Sequence, residues 1–195
     1  MAVDKIQQAF DSYKMNPLAA SKMSKTWFDQ QVLLLSKSKI NTSQLLRERD
    51  ELHSAPLLPG SLYMFRYSAI GDGELQYWDR FPLVIPFRKV KGGFYGLNLH
   101  YLPPQLRAKL LGTLMHFATN QQLDSKTRLK FTWQTAAAAA RNKYIGSCVK
   151  HYLTKQVKSK FMKVQPENWV GALMLPCESF VGASKVQVWT DSRRI

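Results

Sequence analysis

Between Leu62 and Leu102 the chain is a series of short apolar and aromatic runs broken by turn residues, a pattern that predicts successive antiparallel strands. Leu62-Tyr63-Met64-Phe65-Arg66-Tyr67 alternates in part and is rich in aromatic rings, which suits a pleated surface. Ile70-Gly71-Asp72-Gly73 is a turn signal, and Leu75-Gln76-Tyr77-Trp78 predicts a short strand before Asp79-Arg80. Pro82 to Val90 and Phe94 to Leu99 flank Lys91-Gly92-Gly93, a hairpin turn by composition. Pro86 has no N–H to give a ladder, so its run predicts an edge position or a bulge. Strands this short and this close together predict a small antiparallel β-barrel or strongly twisted sheet, SH3-like in type.

Helical patterns surround this region, so the fold class is α+β. Residues 1–58 predict a helical N-terminal arm: Ile6, Phe10 and Tyr13 share a helical spacing before Pro17. Ser24 or Thr26 would cap a second helix, and Thr42 or Ser43 a third. Pro56 and Pro59-Gly60 end the arm, and residues 59–195 form an α+β core domain with a basic C-terminal half. Pro103-Pro104 opens a helix whose Leu106, Leu110, Leu111, Leu114 and Phe117 make one apolar stripe. Leu129 to Trp133 predicts a strand, and the five alanines at 136–140 favour helix. From Tyr144 to Lys158 the residues Ile145, Cys148, Val149, Tyr152, Leu153 and Val157 fall on one helical face, with Lys143, Lys150, His151 and Lys158 opposite. Pro166-Glu167-Asn168-Trp169 starts a further helix, and Val186 to Trp189 predicts a closing strand.

Charge is the second constraint. The 195 residues carry 28 Lys or Arg against 13 Asp or Glu, a net +15. The excess is uneven: Lys126 to Lys163 contains ten basic side chains and no carboxylate. Soluble surfaces ordinarily intersperse both signs, so a run without acids points to a polyanionic partner. The candidate phosphate contacts are Lys126, Arg128, Lys130, Arg141, Lys143, Lys150, Lys155, Lys158, Lys160 and Lys163. Tyr144 and Trp133 are candidates for stacking on a frayed base, although core packing explains both as well.

Other chemistry finds little support. His100, His116 and the pair Cys148 with His151 have no four-ligand zinc spacing, so each histidine reads as a core residue. The glycines of Gly71-Asp72-Gly73 and Lys91-Gly92-Gly93 lack the phosphate-cradling spacing and read as turns. A nuclease needs convergent carboxylates, and the basic half holds only Asp124, Glu167, Glu178 and Asp191. Neither a catalytic residue nor a metal nor a cofactor is expected. Two cysteines suggest a reducing compartment, and no apolar run approaches the ~20 residues of a membrane span. The first residues lead into no apolar stretch, so no secretion signal is expected.

Several blocks follow one another in a distinctive order: Tyr77-Trp78-Asp79-Arg80-Phe81-Pro82-Leu83, Gly93-Phe94-Tyr95-Gly96-Leu97-Asn98-Leu99-His100-Tyr101-Leu102, Cys148-Val149-Lys150-His151-Tyr152-Leu153, Pro166-Glu167-Asn168-Trp169 and Thr190-Asp191-Ser192-Arg193. With Leu62 to Tyr67 ahead of them, they resemble the DNA end protector proteins of T-even-type tailed phages, from about residue 20 to the C-terminus. The resemblance implies a virion protein of head completion that binds double-stranded DNA at the packaged genome's end and shields it from host exonuclease. It also implies a location in the virion, and in host cytoplasm during assembly. Portal, neck or tail proteins, and further copies of the chain, would be partners; a membrane would not. No catalytic residues come with it, and Asp79-Arg80-Phe81-Pro82 and Asn98-Leu99-His100-Tyr101 read as fold signatures at strand ends. The alternative is a purely structural neck, tail or baseplate component without end-specific DNA binding.

Overall fold

The computed structural model describes residues 57–69, 75–166, 169 and 178–193. The helical arm, the turn at 70–73 and most of the helix expected after Pro166 lie outside these residues. Five antiparallel strands form the main sheet: β1 (Leu62–Met64), β3 (Leu83–Val90), β4 (Gly93–Asn98), β5 (Val149–Leu153) and β6 (Met162–Val164), in the order β5-β4-β3-β1-β6. A separate pair joins β2 (Trp78–Asp79) to β7 (Phe180–Val181), also antiparallel. The helices are α1 (Pro104–Ala118), α2 (Ser125–Ala139), the single turn α3 (Lys143–Gly146) and α4 (Lys185–Asp191). The class is α+β, with a twisted sheet rather than a closed barrel.

The hairpin between β3 and β4 falls where expected, with Val90 opposite Gly93 and Gly92 at a φ of 78°. Pro86 sits in β3, an interior strand, and the register shifts between Pro86 and Arg88. The proline is therefore accommodated by a bulge, not by an edge. Its carbonyl is used from outside the ladder: Gly60 N–H donates to Pro86 O at 3.0 Å. Gly60 has a φ of 89°, and a Cβ there would meet Leu129 O and the Trp133 backbone N of α2 at 2.7 and 2.8 Å. Only glycine lets β1's approach lie that close to the helix.

Three elements differ from the sequence expectation. Leu129–Trp133 is helical, inside α2, because the Asp124 side chain accepts from the N–H groups of Lys126 and Thr127 and starts the helix ahead of it. Thr132 and Ala136, four apart, form its buried stripe. The amphipathic run from Tyr144 to Lys158 is not a helix. It turns once as α3, then runs extended as β5, because β4 offers a complete ladder from Gly93↔Leu153 to Leu97↔Val149. Val186–Trp189 is helical as well, since the Ser184 hydroxyl caps the Gln187 N–H. The helix opened by Pro104 ends at Ala118 as its stripe predicts, with Leu110 and Leu114 buried.

Alternation along the strands gives the sheet two apolar faces. Leu62, Met64, Leu83, Ile85 and Leu97 pack with Leu110, Leu114 and Met115 of α1 and Ala136 of α2. On the other side Phe65, Tyr67, Val84, Phe94 and Tyr152 form an aromatic core, with Phe161 and Val157 against it. Phe65 is its hub, edge-on to Phe161 at 4.9 Å, Tyr152 at 5.3 Å and Phe94 at 6.0 Å. The chain beyond β5 folds along the continuation of β1: Tyr67 bridges Val157, and Lys158 N–H donates to Arg66 O at 2.7 Å. That contact curls the sheet around the rings.

A polar network is buried between these layers. Asp79 Oδ2 lies 2.7 Å from His100 Nδ1 and accepts from Asn98 Nδ2 at 3.1 Å. Its Oδ1 accepts from the Phe81 N–H at 3.1 Å and the Ser179 N–H at 3.4 Å. Asn98 Nδ2 also donates to the Tyr152 hydroxyl at 3.0 Å, and the Trp189 indole donates to His100 O at 2.9 Å. The two blocks read as fold signatures at strand ends are thus bonded directly to each other. His100 is a core histidine, as expected, whereas His116 is exposed on α1. Burial holds the Tyr152 hydroxyl well above its ordinary pKa and pushes the Cys148 thiol up to about 11.

Replacing Phe65 with Ala should lower unfolding free energy by about 3–5 kcal/mol in urea titration, whereas Leu75→Ala, at an exposed site, should change it by under about 0.5 kcal/mol. Asp79→Ala strands four donors and should cost about 3 kcal/mol or more. In a Cys177→Ser background, folded protein at pH 8 should alkylate at Cys148 at least about 100-fold more slowly than urea-unfolded chain, since a two-unit rise lowers the thiolate fraction that much. Because the unfolded thiol loses its proton first, Cys148 should also withdraw stability as pH rises from about 9 to about 11.

Candidate nucleic-acid interface

The described residues include nineteen Lys or Arg and four carboxylates. Two of the four are turned inward. Asp79 is paired with His100, both side chains at most 1% exposed, and Glu178 lies 3.5 Å from Arg107, both at most 2% exposed. Asp124 is occupied as the cap of α2, where its bonds to Thr127 hold its carboxyl below the usual pKa. Asp191 is half-buried. Among the described residues this leaves Asp124 and the half-buried Asp191 as the carboxylates nearest solvent, beside a majority of outward Lys and Arg.

The expected contacts separate into groups. Lys126 and Lys130 are exposed one turn apart on α2, and Arg128 lies between them, half-buried. Arg128 and Lys163 of β6 converge on one cleft between α2 and the sheet edge. Lys155 and Lys158 are exposed in the segment after β5, where Lys158 Nζ reaches Lys155 O at 3.4 Å. Arg141 is exposed just beyond α2, and Lys143 belongs to α3. Lys160 is half-buried, and its ammonium has no hydrogen-bond partner among the described residues.

Lys150 stands apart. On a helix it would share an outer face with Lys143 and Lys158; on β5 it is drawn inward. Its ammonium lies 4.0 Å from the centroid of the Tyr101 ring, and desolvation lowers its pKa. A cation over an aromatic face is held by the ring's quadrupole, so this lysine is committed to the fold.

The tertiary structure also recruits cations outside the acid-free run. Thr154 N–H donates to Gly92 O at 2.9 Å, which sets Lys155 beside the β3–β4 turn and its exposed Lys91 and Lys89. Lys158, bonded to Arg66 O, brings the exposed Arg66 to the same region. Arg88, Tyr95 and His151 lie directly opposite one another across β3, β4 and β5. Tyr95 and His151 stack at 4.7 Å with 19° between planes, and the Arg88 guanidinium is 6.0 Å from the Tyr95 ring. Residues 59–105 carry little net charge, so only strand register could have revealed this row. Of the stacking candidates, Trp133 is 38% exposed, but its indole donates to Phe87 O at 2.8 Å, which fixes the ring to β3.

Among the described residues no group of three His, Cys, Asp or Glu side chains is placed to hold a metal ion. No described helix is long and apolar enough to cross a membrane. No curated protein and no solved structure matches the chain. The model of one family, described as the phage T4 terminal DNA protecting protein, matches residues 4–192, nearly the whole length. With the outward cations and inward carboxylates already placed, that match makes the chain a member of the phage T4 terminal DNA protecting protein family.

Proposed function

We propose that this chain protects linear duplex DNA by gripping the backbone phosphates next to its end, so that an exonuclease finds no free terminus. The supporting observation is the segregation of charge: Lys126, Lys130, Arg141, Lys155 and Lys158 are exposed, while Asp79 and Glu178 are buried. Such a surface binds a polymer of phosphates by releasing its condensed counterions, and the contacts position the protein without reading bases. Grip without cleavage is the activity proposed: the protein binds and does not turn over. The same reading places it in the virion, added as the head is completed next to portal, neck or tail proteins, and then in the host cytoplasm with the injected genome.

The test pairs a binding assay with a nuclease assay on a linear blunt duplex. About six phosphate contacts should give a log–log salt slope of about −5, roughly a 10³-fold loss of affinity between 50 and 200 mM salt. The protein should slow digestion by a processive exonuclease at 50 mM salt, and scrambling the duplex sequence should change little. Changing Lys126, Lys155 and Lys158 together to Glu should flatten the slope by about 3 and abolish protection. Unchanged affinity in that variant would remove the reading and leave a scaffold role in the particle.

A further inference from the structure

The cleft between α2 and edge strand β6 is not needed for grip along a backbone, and its chemistry is specific. It has a volume of about 260 Å³ and is lined by Arg128, Lys163, Ser61, Ser125, Thr132 and Gln165, with no carboxylate among the described residues of its wall. Drug-sized ligands occupy about 300–1,000 Å³, so this space suits a smaller group. The amides at the start of α2 are already taken by Asp124, so the cleft's positive character comes from side chains.

Those side chains are prepared for an anion. Arg128 Nη2 donates to Ser125 Oγ at 3.0 Å, which orients the guanidinium and leaves the Ser125 O–H able to donate elsewhere. The Thr132 hydroxyl bonds back to Arg128 O at 2.9 Å and steadies the same turn of helix. Neither Arg128 nor Lys163 has a carboxylate partner among the described residues. The Trp169 indole N–H is spent on Val164 O at 2.9 Å and its ring is 2% exposed, so it packs in the core beside the cleft and leaves the polar side chains to meet a ligand.

We propose that this cleft receives the terminal phosphomonoester of a DNA strand, with Arg128 and Lys163 as its two cationic holders; the proposal rests on the end-binding reading above. A phosphomonoester near neutral pH carries a charge of about −1.5 to −2, matched by two cations, whereas an internal diester carries one. A recessed space of this size admits the end of a strand and its sugar but not a continuous duplex. Capture of the terminal phosphate distinguishes an end from the interior, which backbone contacts cannot do.

The experiment measures binding of the full chain to blunt duplexes of one sequence carrying 5′-phosphate, 3′-phosphate or hydroxyl ends, and to the same sequence as a closed circle. One phosphorylated end should bind about tenfold more tightly than the hydroxyl end. Arg128→Ala and Lys163→Ala should each erase that ratio, with a larger loss of affinity at the phosphorylated end than at the hydroxyl end. Arg128→Lys should restore part of it, and the Lys155→Ala, Lys158→Ala pair should weaken all linear ends equally and keep the ratio. Inorganic phosphate at millimolar concentration should compete only for the phosphorylated end. Equal affinity for all three linear ends, or a ratio that survives both alanine variants with unchanged melting temperature, would overturn the cleft assignment and leave end binding intact. Linear and circular DNA binding alike, with no protection from exonuclease, would instead remove the end-binding reading.

Discussion

The buried carboxylate of Asp79 holds the two layers of this protein in register. It is a charge withdrawn from water, which costs several kcal/mol unless its lone pairs are filled. Here they are: His100 and Asn98 face one oxygen, and the N–H groups of Phe81 and Ser179 donate to the other. The donors come from β2's exit, the end of β4, the turn that follows it and a segment one hundred residues away. Satisfying one group therefore requires all four pieces of chain to meet. Through Asn98 the network reaches the Tyr152 hydroxyl, at the rim of the aromatic core, and through His100 O it reaches Trp189 of α4.

The same arrangement shapes the electrostatics outside. A protein this basic must limit self-repulsion, and scattering acids over the surface is the usual means. In this fold two of the described carboxylates act as internal fasteners, one on His100 and one on Arg107. Cations are left facing outward in separate groups, on α2 and around the β3–β4 turn with the segment after β5. Lys150 shows the opposite fate: its ammonium is spent on Tyr101. A charge count treats Lys150 and Lys155 alike, yet one packs over an aromatic ring and the other stands exposed to solvent.

What was legible beforehand had a local cause. Pro103-Pro104 starts α1 by its own geometry, and Lys91-Gly92-Gly93 turns the chain with a positive φ at Gly92. Val149 to Leu153 was misread because its apolar residues satisfy a helical period while β4 supplies a neighbour that an isolated segment does not have. Val186 to Trp189 was misread because four residues are too few to show a period, and the cap at Ser184 decided the matter. Of the proposed interface, the cations of α2 and the segment after β5 were visible as an acid-free run. Arg66, Arg88, Lys89 and Lys91 were not, since they join it only through the Arg66–Lys158 and Gly92–Thr154 hydrogen bonds.

Taken alone, the amino-acid sequence determined the α+β class, the β3–β4 hairpin, the core role of His100 and the sign and size of the net charge. Each of these is a local preference or a simple sum, and needs no knowledge of distant residues. The tertiary structure decided which cations stand together, which carboxylates are hidden, and that Arg128 and Lys163 face one cleft. Electrostatic attraction depends on distance and on local dielectric, and both are properties of neighbours in space, which here are separated by tens of residues along the chain.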